Sequence, residues 1–221
     1  MAEAYWIGIG DIHDDVTVLE RIPGLSGAAG IIITGDLTIR GGVAAAKPVI
    51  LAVRRHNPVV LAQIGNMDKG DVDTYLTEEG INLHATGRVT AEGVGFFGCG
   101  WSTPTPFGTP SEAGEERIAQ WLEAAHAAVA HCPRLVMVCH TPPIDTAVDV
   151  VGANVHVGSR AVRAFIERVQ PDVCLTGHIH EARAVDAIGR TVIVNPGALA
   201  QGGFARVELL PQGLTAALLT C

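Results

Sequence analysis

The sequence predicts an α/β fold, specifically two β-sheets packed face to face with helices on the outer surfaces. Three features lead there. Short β-rich runs alternate with helical patterns through most of the chain, later strands follow one another without helices between them, and 48% hydrophobic against 17% charged residues supplies a substantial core. All these elements fit one domain spanning residues 1–221.

Tyr5 to Ile9, Ile31 to Thr34, Val59 to Ile64, Leu135 to Cys139 and Val173 to Thr176 read as strands bounded by turn residues. The clearest helix runs from about Glu115 to His131, with Ile118, Trp121, Leu122, Ala125 and Val129 on one stripe, acidic residues in its first turn and Pro133 beyond its end. Ser159 is placed to cap a second, whose stripe is Val162, Phe165, Ile166 and Val169 and whose stop is Pro171. A third is expected between Arg40 and Asn57, where Pro48 should kink it or mark its true start. From Arg88 to Gly98, and from Arg183 through Phe204 to the end, strands follow strands. Gly189-Arg190 sits at a tight turn between two of them. Two loops rich in Pro, Gly and Thr, Trp101 to Ser111 and Thr141 to Gly158, are candidate substrate walls.

A net charge of -8 disfavours a broad grip on nucleic acid, where basic residues must displace counterions, but leaves a small anionic substrate open. Five cysteines without a CxxC pair suggest neither a disulfide framework nor a thiolate zinc site, and fit a reducing cytoplasm. No stretch approaches the roughly 20 apolar residues of a membrane span, and strand-like sequence from Tyr5 leaves no room for a signal peptide, so a soluble cytoplasmic protein is expected.

Seven potential metal ligands fall in five blocks: Asp11 and His13, Asp36, Asn66, His140, and His178 with His180. Each block follows a strand-like run, so a parallel sheet would gather them at one edge. Asp11 and His13, like His178 and His180, are two residues apart, which in extended backbone points both side chains the same way. Imidazole and carboxylate without thiolate suit Mn, Fe or Zn better than calcium.

The blocks GDIHDD (10–15), GDL (35–37), GNMD (65–68), CHTPP (139–143) and GHIH (177–180) resemble, in order and spacing, the calcineurin-like metallophosphoesterase family. The resemblance implies an αββα sandwich and two divalent metal ions. Asp11, His13, Asp36 and His180 would surround one, and Asp36, Asn66, His140 and His178 the other, with Asp36 as the bridge. It further implies hydrolysis of a phosphate ester by a metal-activated water. Many members carry a histidine after the ligand asparagine that protonates the leaving group; here that residue is Met67, and a thioether cannot do so. Small phosphodiesters, cyclic nucleotides among them, or activated esters are therefore expected as substrates over alkyl monoesters. His156 is the favoured substitute acid or phosphate contact, with His84 behind it. Asp68, which would orient the missing histidine, is expected to order the Gly65 to Gly70 loop or to bond a metal ligand. The alternatives are a metal-containing scaffold that has lost turnover and a nuclease.

Other features read more plainly. His56, His126 and His131 are expected to be structural. Cys139 should pack in the core, opposite His140 on its strand. Gly8-Ile9-Gly10 is no dinucleotide fingerprint, because His13 occupies the third glycine position. Trp101 and Phe107 could stack on a base or fold back on the domain, Asn195-Pro196-Gly197 resembles a family turn near the active site, and Arg160 is a solvated charge or a phosphate contact.

Overall fold

The computed structural model describes residues 4–221. In chain order it contains β1 (Tyr5–Ile9), β2 (Gly30–Ile33), α1 (Val43–His56), β3 (Val60–Ala62), α2 (Gly70–Glu78), β4 (Gly87–Val89), β5 (Val94–Cys99), α3 (Glu115–Ala127), β6 (Arg134–Cys139), β7 (Val150–Val151), β8 (Val155–His156), α4 (Arg160–Val169), β9 (Val173–Leu175), β10 (Ala184–Ile188), β11 (Thr191–Asn195), β12 (Gly203–Leu210) and β13 (Gly213–Thr220). One sheet has the order β13-β12-β1-β2-β3 and the other β10-β11-β9-β6-β5-β4, giving the expected four-layer sandwich; β7 and β8 pair separately.

Strand alternation builds the layers. Trp6, Ile32, Phe96, Val136, Val138, Val173 and Leu175 meet between the sheets, with the Trp6 and Phe96 rings 5.3 Å apart. Their neighbours along the strands point the other way. Ile7, Ile9, Ile31 and Ile33 pack under α1 and α2 with Val49, Ile50, Val53, Val72 and Leu76. Phe97, Met137, Cys139 and Cys174 pack under α3 and α4 with Ile118, Leu122, Phe165 and Ile166. Cys139 thus lies in the core, as its position opposite His140 requires.

Several boundaries have identifiable causes. Ser159 caps α4 by accepting from the Val162 N–H, and Gln170 ends that helix in a left-handed conformation just before Pro171. The Ile188–Thr191 register leaves Gly189 and Arg190 as the two-residue turn, with Gly189 at φ 60°. Helix α1 starts at Val43, upstream of Pro48, which lies inside it. The proline forfeits only the bond to Ala44, and both residues face solvent, where water satisfies the freed carbonyl. Helix α3 stops at Ala127, short of the expected His131; residues 128–131 continue as a turn, with the Cys132 N–H bonded to the Val129 carbonyl. Helix α2 was not expected. Its buried side chains are only Val72, Tyr75 and Leu76, too short a stripe to stand out in sequence.

Strands β1, β2 and β3 run parallel, as do β5, β6, β9 and β11. Their carboxyl ends therefore share one edge of the sandwich, where open α/β sheets place ligands.

Candidate metal centre

All seven expected ligands sit just beyond those carboxyl ends: Asp11 and His13 after β1, Asp36 after β2, Asn66 after β3, His140 after β6, and His178 and His180 after β9. The backbone there is unusual. Asp11, His13, Asp36 and His178 have φ of 48°, 49°, 50° and 71°, a left-handed region that non-glycine residues rarely occupy. Two glycines permit the crowding: a Cβ on Gly35 would lie 2.5 Å from His140 Nδ1, and one on Gly65 would collide with the Asp36 carboxylate.

The side chains converge in two groups. In the first, His180 Nε2 lies 3.1 Å from both Asp11 Oδ1 and His13 Nε2. In the second, His140 Nε2 lies 3.0 Å from Asn66 Oδ1 and 3.4 Å from Asp36 Oδ1, and His178 Nδ1 lies 2.8 Å from the same Asn66 oxygen. Asp36 reaches both, with Oδ2 3.8 Å from His13 Nε2. Asp11 also belongs to both: it clusters with His13 and His180 and again with Asp36 and His140. The resemblance had implied only Asp36 as shared.

The electrostatics call for cations. Asp11 and Asp36 are buried, and among the described residues neither has a Lys or Arg partner. An uncompensated buried carboxylate pair is costly unless a metal or a proton supplies positive charge. The histidines respond accordingly. Burial would lower His140, yet Asp36, Asp11 and Asp68 lift it to about 9. Burial, with His140 adding to it, pushes His178 down to about 4. The hydrogen bond to Asp11 raises His180. For Asp36, burial acts upward, but His140, His13 and the Met67 N–H more than offset it and leave the carboxyl low. Hard oxygen and borderline nitrogen donors, two buried carboxylates and no thiolate make a donor set that fits two divalent ions.

Neighbouring groups fix these side chains. Asp68 is fully buried and accepts from the N–H groups of Leu37 (3.1 Å), Thr38 (2.8 Å) and Gly65 (3.0 Å) and from the Thr38 hydroxyl (2.8 Å). It ties the loop carrying Asp36 to the loop carrying Asn66. Burial first, and then the charge of Asp36, raises its pKa to about 6. Asn195 donates to the Ile179 carbonyl at 2.8 Å, fastening the loop between His178 and His180. That gives the Asn195-Pro196-Gly197 turn a place behind the site.

Beside the cluster opens a cavity of about 710 Å³, lined by His13, Asp36, Asn66, His178 and His180 and, further out, by Arg40, Met67, Thr103 to Phe107, Thr109, Val151, Val157, Ile179 and Glu181. Loop 101–111 forms a wall, as expected. Loop 141–158 contributes only Val151 and Val157. The structure does not bring His156 into this cavity: its ring turns away, with Nδ1 2.7 Å from Asp149 Oδ1. Strand alternation explains the difference, since Val157 faces in and His156 does not. His84 is also elsewhere, accepting the Gly100 N–H at 3.1 Å and packing against Trp101 and Trp121. Trp101 folds back on the domain, whereas Phe107 is 77% exposed at the cavity mouth. The exposed Arg160 side chain lies outside the cavity lining. Arg40 and Glu181 escaped the sequence reading, although each closely follows a ligand block.

Two clusters of metal-ligating side chains at one edge of an αββα sandwich define a dinuclear-metal hydrolase architecture. The family described as metallophosphoesterase, calcineurin superfamily, matches residues 126–215. An uncharacterised protein of Methanocaldococcus jannaschii is 33% identical over 195 residues, 86% of each chain. A Thermus thermophilus crystal structure superposes with a TM-score of 0.73 at 16% identity, over 98% of this chain and 99% of that one. A 5'-nucleotidase from Candida albicans superposes with a TM-score of 0.56 at 12% identity, over 98% of this chain and 51% of that one. These last two are likenesses of fold. The chain belongs to the calcineurin-like metallophosphoesterase superfamily. No helix among the described residues is long and apolar enough to cross a membrane.

Proposed function

We propose that the chain is a metal-dependent phosphoesterase that hydrolyses small phosphodiesters or activated esters, with Asp11, His13, Asp36 and His180 holding one divalent ion and Asp36, Asn66, His140 and His178 the other. The observation that carries this reading is Asp36, a buried carboxylate within 3.8 Å of His13 and 3.4 Å of His140, placed to serve both groups. When bound, such an ion pair acts as a Lewis acid toward a phosphoryl group and acidifies water. The protein's own contribution is placement. Asp68 and Asn195 hold the ligand loops, His178 is kept neutral and able to ligate, and the cavity seats the ester beside the cluster.

Preference for diesters over alkyl monoesters follows from the cavity wall. Met67 lines it where a leaving-group acid would stand, and its thioether has no proton to give. His156 does not replace it from its place against Asp149. Poor leaving groups then forgo a contribution of roughly 10² to 10⁴ in rate. Mn, Fe and Zn all suit the donor set. The five free cysteines fit a reducing cytoplasm.

The test compares bis(4-nitrophenyl) phosphate with 4-nitrophenyl phosphate and phenyl phosphate in the presence of Mn²⁺. Turnover should be highest on the diester and lowest on phenyl phosphate, and should vanish in Asp36→Ala. A wild-type chain that binds metal and hydrolyses none of the three would support a scaffold instead.

A further inference from the structure

The Asn66 side chain has two chemically opposite ends, and only its carbonyl oxygen can ligate a cation. What decides which end enters the cluster lies 43 residues away. Asn66 Nδ2 is 3.0 Å from Thr109 Oγ1. That hydroxyl in turn is 2.5 Å from Glu112 Oε1, which also accepts from the Thr109 N–H at 2.8 Å and the Thr105 hydroxyl at 2.7 Å. A hydroxyl carries one proton. With that proton committed to a carboxylate, which can only accept, the Thr109 oxygen faces Asn66 with lone pairs alone. It can therefore receive the amide NH₂ but not meet the amide carbonyl.

The backbone of the same segment is fastened to the Asn66 loop, so the relay is not a chance contact of a free side chain. The Ser111 N–H donates to the Asn66 carbonyl at 3.0 Å, and the Ser111 hydroxyl donates to the Asp68 carbonyl at 2.6 Å. Hydrogen bonds from the Thr109 and Thr105 hydroxyls outweigh the effect of burial and hold the Glu112 carboxyl down to about 2, so it stays an acceptor across the working pH range.

We propose that Thr109 and Glu112 are positioning residues that set the polarity of the Asn66 amide, turning its oxygen toward His140 and His178 and so completing the second metal position. The inference rests on the dimetal reading, and it assigns the 109–112 segment a part in metal binding beyond forming a cavity wall. Neither residue is itself one of the seven candidate ligands; Glu112 holds Thr109, and Thr109 holds the Asn66 amide. Each acts through Asn66.

The experiment is Mn²⁺ titration of the full chain by calorimetry, with metal content measured after dialysis and folding checked by circular dichroism. Wild type should bind two Mn²⁺ per chain. Thr109→Val keeps the shape and removes the hydroxyl; it should weaken one of the two sites by about 10- to 100-fold, the range for loss of a group that orients a ligand. Thr109→Ser and Glu112→Gln, which keep a hydroxyl and an accepting oxygen, should restore both sites to within about threefold of wild type. The sharper control is Asn66→Asp, whose side chain has no NH₂ to offer Thr109. In that background Thr109→Val should not weaken Mn²⁺ binding, because the hydroxyl lone pairs there oppose a carboxylate. Two Mn²⁺ bound by folded Thr109→Val with wild-type affinity would overturn the proposal alone, as would equal weakening by Thr109→Val in both backgrounds. A wild-type chain that binds no Mn²⁺ would overturn the dimetal reading together with it. Should Thr109→Val fail to fold, Glu112→Ala measured against Glu112→Gln reads the same relay, and equal affinities in that pair would refute it.

Discussion

Replacing Asp68 with alanine should cost the fold far more than a surface change. Its carboxylate accepts four hydrogen bonds, three from backbone N–H groups, in a position closed to solvent. The Thr38 hydroxyl has a second acceptor in the Gly41 carbonyl, but no replacement is evident for the N–H groups of Leu37, Thr38 and Gly65. A buried donor left without a partner costs about 1–3 kcal/mol. Allowing for water entering the small space left behind, Asp68→Ala should lose about 3–5 kcal/mol, a large share of the roughly 5–15 kcal/mol of a typical domain. Asp68→Asn separates the two oxygens. If the amide oxygen keeps the two bonds from Thr38, its NH₂ is turned toward the N–H groups of Leu37 and Gly65, so about 2–3 kcal/mol should still be lost. Urea unfolding of the metal-free chain measures both, with a shift in midpoint at constant slope. Because Asp68 joins the loops bearing Asp36 and Asn66, the asparagine variant should also bind Mn²⁺ about 10- to 100-fold more weakly. An Asp68→Ala midpoint corresponding to less than about 1 kcal/mol of lost stability would refute this account of how the two loops are held.

Met67→His should raise turnover of phenyl phosphate by about 10-fold or more while changing bis(4-nitrophenyl) phosphate little, since only the poorer leaving group needs the proton; steady-state kinetics on both substrates decides it. Phe107→Ala should raise KM for the bis-aryl diester by about 2- to 10-fold with kcat nearly unchanged, because the exposed ring at the cavity mouth offers stacking without touching the reacting atoms. An unchanged KM would remove Phe107 from the substrate wall. Burial, assisted by Arg117 and opposed by Asp73, lowers the His84 pKa in the folded chain below its ordinary 6.5. The neutral form is then the one the fold prefers, so its stabilisation is complete above about 6.5 and is lost as pH falls through the lowered value. Relative to His84→Asn, the wild-type chain should lose urea stability as pH falls below about 6.5, and a parallel decline would contradict the assignment.

The fold and the convergence of the seven candidate ligands were legible for the same reason. In a parallel sheet every strand ends at the same edge, so a ligand block after each apolar run maps directly onto convergence in space. Asp11, Asp36, Asn66, His140 and His178 needed no knowledge of side-chain packing to be placed together. His156 needed more. Its loop forms the β7–β8 hairpin, and one step of strand alternation decides whether a side chain faces the cavity or Asp149. Helix α2 was invisible because its apolar stripe is short, and the relay from Glu112 to Asn66 because no local pattern joins positions so far apart in the chain.

Taken together, the cavity and the cluster divide the chemistry unequally. Asp11, Asp36, Asn66 and His140 are buried, and Asp68 and Asn195 hold ligand-bearing loops whose glycines admit no side chain, which is what electrostatic preorganisation toward a phosphoryl group requires. Among the described residues proton delivery has no comparable provision: Met67 lines the wall, His156 is bound to Asp149, and Glu181, exposed at the cavity edge beside His180 in the chain, is the carboxyl of the cavity lining that lies outside the cluster. A site strong in charge stabilisation and poor in general acid selects for esters whose alcohols leave readily as anions. On that ground leaving-group pKa should govern rate steeply on this scaffold, and a series of substituted aryl diesters giving a flat dependence would mean that a proton donor does reach the leaving oxygen.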